Sequence, residues 1–172
     1  MNYTSTRDSA LCTGASTAIL TGIAPGGGLF VPQKFPQVDM REFYGLTYPQ
    51  TAQKVLGMFL TDYDPDFLKT ATEQTYSTEN FGGKAGFAAH VAGNTYALEL
   101  WHGPTCAFKD YALQLMPRLL VEAKKNLGET GVTKILVATS GDTGKAALAG
   151  YAGLPGIRIA VFYPNAGTSE VQ

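Results

Sequence analysis

The sequence predicts an α/β fold with a parallel sheet in the second half of the chain. Two apolar runs typical of strands, at residues 135–138 and 157–162, flank a segment with helical composition at residues 146–151. A further strand is expected at residues 95–101, where hydrophobic and polar side chains partly alternate. Strands that alternate with helices favour a parallel sheet with right-handed crossovers.

The first half of the chain has a different pattern. Residues 1–85 are expected to form a mainly helical region of their own, and residues 86–172 the α/β part. Helical spacing predicts a helix at residues 48–60. A second helix is expected after Asp64, because aspartate suits an N-cap and Pro65 suits the first helical position.

Composition indicates an ordinary globular protein and excludes several classes. The chain has 172 residues, 45% of them hydrophobic, and a net charge of -1, with no charge run that would suggest nucleic acid. No stretch approaches the roughly 20 apolar residues of a membrane helix, and the start does not resemble a secretion signal, which leaves the cytoplasm as the expected compartment. Two cysteines and two histidines, widely spaced, indicate neither a disulfide framework nor a metal site.

Lys109 is the first candidate for chemistry. Gly103 and Pro104 end the predicted strand, and helical spacing begins at Ala107. Lys109 then falls in the first helical turn, where the helix dipole disfavours an ammonium and favours a neutral amine, the form that makes Schiff bases. A lone lysine is more often a solvated helix residue, so the weight of the prediction comes from its apolar neighbours.

Several neighbours of Lys109 carry predictions of their own. Asp110 is expected to favour the helix N-terminus through its charge rather than to orient Lys109. Pro117 should kink the lysine helix or shorten its regular part. Trp101 is expected in the core, and His102 is expected to be a turn residue rather than a general base.

A glycine loop at residues 139–144, Thr-Ser-Gly-Asp-Thr-Gly, connects the strand at 135–138 to the next helix. Its glycines allow a ligand to approach the backbone, and the helix start offers unpaired N–H groups to an anion. A Walker motif is excluded, since Thr139 stands at its first glycine and Ala146 follows Lys145. A dinucleotide fingerprint needs three glycines, and the loop has two.

Three segments of the chain resemble motifs of one protein family, and they occur in the same order as in that family. Residues 101–110, Trp-His-Gly-Pro-Thr-Cys-Ala-Phe-Lys-Asp, resemble the lysine motif of threonine synthases, and the loop at 139–144 is similar to their substrate loop. Residues 3–7 and 18–32 resemble the opening of bacterial and fungal members. The resemblance implies the three-layer parallel-sheet fold of the tryptophan-synthase-β type of pyridoxal-phosphate enzymes, present only in part.

The same resemblance implies roles for individual residues. Lys109 would hold pyridoxal 5'-phosphate as a Schiff base and later shuttle protons, with Phe108 at the cofactor and Asp142 near its ring hydroxyl. The substrate's carboxylate would lie on Ser140, Gly141, Thr143 and Gly144. Two interpretations of Lys145 remain open: a solvated side chain, or a cation that pairs with a bound anion.

Threonine synthases are much longer than this chain. Residues 169–172 have the pattern of a capping box whose helix does not follow, so we expect the N-terminal portion of an enzyme that converts O-phospho-L-homoserine and water to L-threonine and phosphate. The chain alone should be inactive. Three alternatives stay open: another lyase of the same fold type, such as a dehydratase or cysteine synthase; a catalytically silent relative; or a stand-alone anion-binding module.

Overall fold

The computed structural model describes residues 1–139, 141–165 and 167, and these form two compact units. The first unit consists of Met1–Glu73 and Leu119–Thr130, and the second of Gln74–Arg118 and the described residues from Gly131 onward. Among the described residues, no helix is both long and apolar enough to cross a membrane.

A small antiparallel sheet opens the first unit. Its strands have the order β2-β1-β3 and the bounds Tyr3–Ser5 (β1), Asp8–Thr13 (β2) and Phe30–Pro32 (β3). The sequence did not predict these strands, because β1 and β3 have three residues each and β2 has no regular apolar alternation.

The helices of the first half include both that the sequence predicted, with the bounds Tyr48–Phe59 (α2) and Pro65–Thr75 (α3), and an earlier one at Ala15–Thr21 (α1). Thr47 and Gln50 form a capping box at the start of α2. Asp64 caps α3 as predicted, since its Oδ1 accepts from the backbone N–H groups of Asp66 (2.7 Å) and Phe67 (3.2 Å).

A buried tyrosine marks the interior of the first unit. Tyr63 is 5% exposed and its hydroxyl donates to the backbone oxygen of Leu119 at 2.9 Å. Burial raises the pKa of this phenol, and the charge of Asp62 raises it further. The Asn126 amide donates to the Ser16 hydroxyl and to the Asp62 backbone oxygen at 3.1 and 3.2 Å, and this network connects distant parts of the chain.

The later elements run in the order Thr78–Phe81 (α4), Ala88–Ala92 (β4), Thr95–Leu98 (β5), Asp110–Leu113 (α5), Met116–Asn126 (α6), Thr133–Ala138 (β6), Asp142–Tyr151 (α7) and Ile157–Phe162 (β7). Strands β6 and β7 are parallel, with Thr133 opposite Ile157 and Ala138 opposite Phe162, as the sequence predicted. Although strand β6 contains an apolar run, its residues alternate between half-buried and exposed, and Leu136 is 70% exposed.

The strand predicted at residues 95–101 is present at residues 95–98, but it does not join the parallel sheet, so its predicted end and its predicted sheet were wrong. It ends at Leu98 and pairs antiparallel with β4, Ala88 lying opposite Leu98. The chain reverses between the two strands at Gly93, whose φ of 54° is easily adopted by glycine. Short antiparallel strands can pair through such a tight turn, whereas a parallel pair needs a crossover.

The lysine helix is divided into α5 and α6, with a break between Leu113 and Met116. Pro117 is the second residue of α6, where its missing N–H has no helical partner to lose. The prediction that Pro117 would shorten the regular helix is therefore confirmed.

Candidate functional site

Lys109 lies at the N-cap of α5. Its backbone oxygen accepts from the N–H groups of Ala112 (3.1 Å) and Leu113 (2.8 Å), which fixes the residue at the start of the helix. The side chain is half-buried, and its Nζ lies 4.2 Å from the centroid of the Phe108 ring. Because α5 has a single turn, Lys109 meets the dipole of one turn and not that of the long helix expected from the sequence.

The segment that precedes Lys109 is an irregular loop. Trp101 is 54% exposed, so its predicted place in the core was wrong; β5 ends before it, and no strand carries it inward. His102 lies in the loop as predicted, with its Nε2 2.5 Å from the Glu99 carboxylate. Its ring packs edge-on against Phe87, 6.2 Å away, which holds the beginning of the loop in place.

Asp110 lies in the first turn of α5, where the sequence led us to expect its charge, and it also makes contacts that the sequence did not predict. Its side chain is fully buried and accepts hydrogen bonds from the backbone N–H and the hydroxyl of Thr105, both at 2.8 Å. Sequence reasoning missed the part played by Thr105. The signal that could have found it is a hydroxyl residue that directly follows a Gly-Pro turn and stands five positions before an aspartate.

The glycine loop lies between β6 and α7. The Thr139 hydroxyl accepts from the Gly141 N–H at 3.2 Å, and the Gly144 N–H donates to the Gly141 oxygen at 3.0 Å. Beside the loop is a cavity of about 420 Å³, and the residues that line it are Thr139, Gly141, Gly144, Lys145, Leu148, Val161 and Tyr163. The cavity lies at the start of α7, where the helix dipole favours an anion.

Gly144 allows α7 to approach the sheet closely. A Cβ at this position would lie 2.5 Å from Thr139 Cγ2 and 2.8 Å from Val161 Cγ1, both closer than real side chains come. Asp142 is exposed at the first position of α7, and Thr143 is half-buried beside it. Ser140 and the capping-box pattern at residues 169–172 lie outside the described residues.

The two motif helices touch each other. A Cβ on Gly150 of α7 would lie 1.9 Å from the backbone oxygen of Leu113 in α5, so only glycine fits there. The Gln114 amide also reaches the Ala146 oxygen, at 3.5 Å. The helix that begins after Lys109 is therefore packed directly on the helix that begins after the glycine loop.

Tyr111 connects the lysine helix to the start of the second unit. Its hydroxyl accepts from the Gly86 N–H at 2.9 Å, and its ring lies 4.9 Å from Phe81 and 6.2 Å from Tyr76, measured between centroids. Tyr111 therefore packs on the side of α5 that faces Phe81 and Tyr76 and not beside the Lys109 amine. It leaves Phe108, which is 62% exposed, as the aromatic side chain nearest the Lys109 amine.

Comparison with known proteins gives one consistent result. A family model described as the threonine synthase N terminus matches residues 2–76. The threonine synthase of Pseudomonas aeruginosa is 40% identical over the whole chain, and human threonine synthase-like 1 is 39% identical over 91% of it. The alignments cover 37% of the Pseudomonas protein and 22% of the human protein, so the chain spans little more than a third of the first and about a fifth of the second.

Solved structures agree with the fold. The crystal structure of threonine synthase from Brucella melitensis, described as bound to PLP, matches 99% of this chain with a TM-score of 0.89 and 34% sequence identity. This chain covers 37% of that structure. The predicted fold class, the pyridoxal-phosphate enzyme fold of threonine synthases present in part, is therefore confirmed.

Proposed function

We propose that this chain, which belongs to the threonine synthase family and corresponds to the N-terminal part of its members, is part of a pyridoxal-phosphate-dependent lyase. The whole enzyme would convert O-phospho-L-homoserine and water to L-threonine and phosphate, in the cytoplasm. One observation carries the proposal: the lysine motif and the glycine loop are joined through a helix contact that only Gly150 permits.

The lysine fits the cofactor chemically. Among the residues that the structure describes, no carboxylate pairs with the Lys109 amine, which lies over the Phe108 ring. An amine without a counter-charge at the start of a helix is available to a carbonyl compound. Lys109 would hold the cofactor through Nζ as a Schiff base and move protons on the substrate, with Phe108 and Asp142 as further cofactor contacts. When bound, pyridoxal phosphate supplies an electron sink for the substrate.

The glycine-loop cavity fits the carboxylate of an amino-acid substrate. Thr143 would bind the carboxylate through its hydroxyl and backbone N–H at the start of α7, and Gly141 and Gly144 would let the carboxylate approach the backbone. Ser140, the residue before Gly141 in the sequence, would add a second hydroxyl. Lys145 lines the same cavity, which favours the interpretation that it pairs with an anion of the substrate.

The division of the chain follows from the same assignment. Residues 1–85 would form the N-terminal threonine-synthase region and residues 86–172 the beginning of the cofactor domain. The family model's match to residues 2–76 lies within the first of these ranges. The two compact units divide the chain differently, since residues 74–85 belong to the second unit and Leu119–Thr130 to the first. A catalytically silent threonine-synthase-like protein is the second candidate, because human threonine synthase-like 1 is 39% identical.

Labelling of the lysine tests the proposal. Borohydride reduction of the complete protein with pyridoxal phosphate, followed by peptide mapping, should place the pyridoxyl group on Lys109. Lys109→Ala should lose the label and the release of phosphate from O-phospho-L-homoserine, whereas Lys134→Ala, at an exposed lysine of β6, should keep both. Label on another lysine would contradict the assignment, and label without phosphate release would favour the silent relative.

A further inference from the structure

The loop between Gly103 and Asp110 is closed by one buried carboxylate. The Thr105 N–H donates to Asp110 Oδ2 and the Thr105 hydroxyl to Asp110 Oδ1, each at 2.8 Å, and the Gln114 amide adds a third bond to Oδ1 at 3.3 Å. Asp110 has no exposed surface and Thr105 is 8% exposed. Hydrogen bonds to a buried charged acceptor are stronger than neutral ones, so this carboxylate holds Thr105 firmly.

The rest of the loop is shaped around the same side chain. A Cβ at Gly103 would lie 2.5 Å from both the Cβ and Oδ2 of Asp110, so the loop can close only with glycine at this position. Cys106 has a φ of 60°, a left-handed conformation that non-glycine residues rarely adopt. Such a conformation persists only where surrounding contacts determine it, and the contacts here are those of Thr105 and Gly103.

Lys109 depends on this loop for its position. It directly precedes Asp110, and its amine has no hydrogen-bonding or charged partner among the described residues, only the face of Phe108. The direction of the side chain is therefore set by the backbone at residues 108–110. That backbone is fixed on one side by the bonds of α5 to the Lys109 oxygen and on the other by Asp110.

We propose that Asp110 is a positioning residue for Lys109: by binding both donors of Thr105 it closes the loop at residues 103–110 and aims the lysine amine at the cofactor's aldehyde. The proposal rests on the proposed role of Lys109. Asp110 itself touches neither cofactor nor substrate. Because a displacement of about 1 Å can slow a reaction by about a hundredfold, loss of the carboxylate should reduce the rate of attachment strongly.

The experiment compares four variants of the complete protein. The rate at which added pyridoxal phosphate attaches is followed by the absorbance of the Schiff base, without substrate. Hydrogen exchange of residues 103–109 is measured in the protein without cofactor. Asp110→Ala should slow attachment by about tenfold or more and speed exchange in the loop. Thr105→Val, which keeps the backbone donor, should have a smaller effect in both measurements, and Thr105→Ser should restore both.

The fourth variant, Asp64→Ala, is the matched control. Asp64 also accepts from two donors at a helix start, but in the first unit, so its loss should lower stability and leave attachment unchanged. Attachment by Asp110→Ala within about twofold of the wild type, or equal slowing by Asp64→Ala, would overturn the proposal. If Asp110→Ala does not fold, unchanged attachment and exchange in Thr105→Val would overturn it instead. Label on a lysine other than Lys109 would refute the assigned lysine, while hydrogen exchange would still decide whether Asp110 holds the loop.

Discussion

Gly150→Ala provides a test of the contact between the two motif helices. In most helix interiors this change stabilises by about 1 kcal/mol, because alanine has the higher helix propensity. At Gly150 the new Cβ would lie 1.9 Å from the Leu113 oxygen and 2.9 Å from its carbonyl carbon. The structure therefore predicts that the usual sign is reversed.

The size of the effect follows from the distance. A carbon and a carbonyl oxygen approach to about 3.3 Å, so α5 and α7 must separate locally by roughly 1.4 Å. Overpacking typically destabilises by about 1–3 kcal/mol, and a backbone obstacle such as the Leu113 carbonyl belongs at the upper end. After the gain in helix propensity, the free energy of unfolding should fall by about 2 kcal/mol.

Urea denaturation followed by circular dichroism measures the change. Gly57→Ala in α2 is the matched control, because a Cβ there meets nothing within 4 Å, and it should stabilise by about 1 kcal/mol. Equal stabilisation by both variants would refute the contact between α5 and α7. In the complete protein, Gly150→Ala should also slow the attachment of pyridoxal phosphate, since α5 carries Lys109 at its start.

Three further predictions concern other parts of the chain. Lys145→Ala in the complete enzyme should weaken binding of O-phospho-L-homoserine more than binding of unphosphorylated analogues, measured by titration, without a change in the cofactor spectrum. Equal effects on both ligands would assign Lys145 to the carboxylate alone. No effect on either ligand would show that Lys145 is a solvated surface residue. Tyr63→Phe should lower the free energy of unfolding by about 1 kcal/mol through loss of the bond to Leu119. Burial raises the pKa of Tyr63 above its unfolded value of 10.0, so the folded state favours the neutral phenol. The resulting contribution to the free energy of unfolding is complete below pH 10 and is lost as the pH rises through the higher pKa of the folded state. Denaturation curves recorded at increasing pH should therefore show this loss of stability in the wild type and not in Tyr63→Phe. The 172-residue chain alone should release no phosphate from O-phospho-L-homoserine, and any release by a homogeneous sample in a phosphate assay would contradict this.

The elements that the sequence predicted are those with strong local signals. Strand β7 has the predicted bounds, and α3 begins where Asp64 and Pro65 indicated. Both cases depend on neighbouring residues only, an apolar run in one and a cap in the other.

The features that the sequence did not predict are strand pairing, side-chain burial and helix contacts, which depend on residues that are distant along the chain. Alternation at residues 95–98 indicated a strand but not its partner, and that partner, β4, has no clear alternation of its own. The burial of Asp110 could not be read from its charge, because it results from closure of a loop around Thr105. The lysine and glycine motifs were both found, but their contact depends on Gly150, which no local pattern distinguishes from an ordinary helical glycine.

The pairing of β6 with β7 has a consequence for folding order. Each rung of this ladder joins residues 24 positions apart, such as Thr133 and Ile157, whereas β4 and β5 pair across a short turn. Hairpins form in about 1–10 μs, whereas strands that are distant along the chain pair more slowly, because closing the longer loop between them costs more conformational entropy. The cavity beside the glycine loop is lined by Thr139, which directly follows β6, and by Val161 in β7. It should therefore form only when β6 and β7 have paired. In pulse-labelling hydrogen exchange during refolding, amides of the β4–β5 hairpin should gain protection before those of β6.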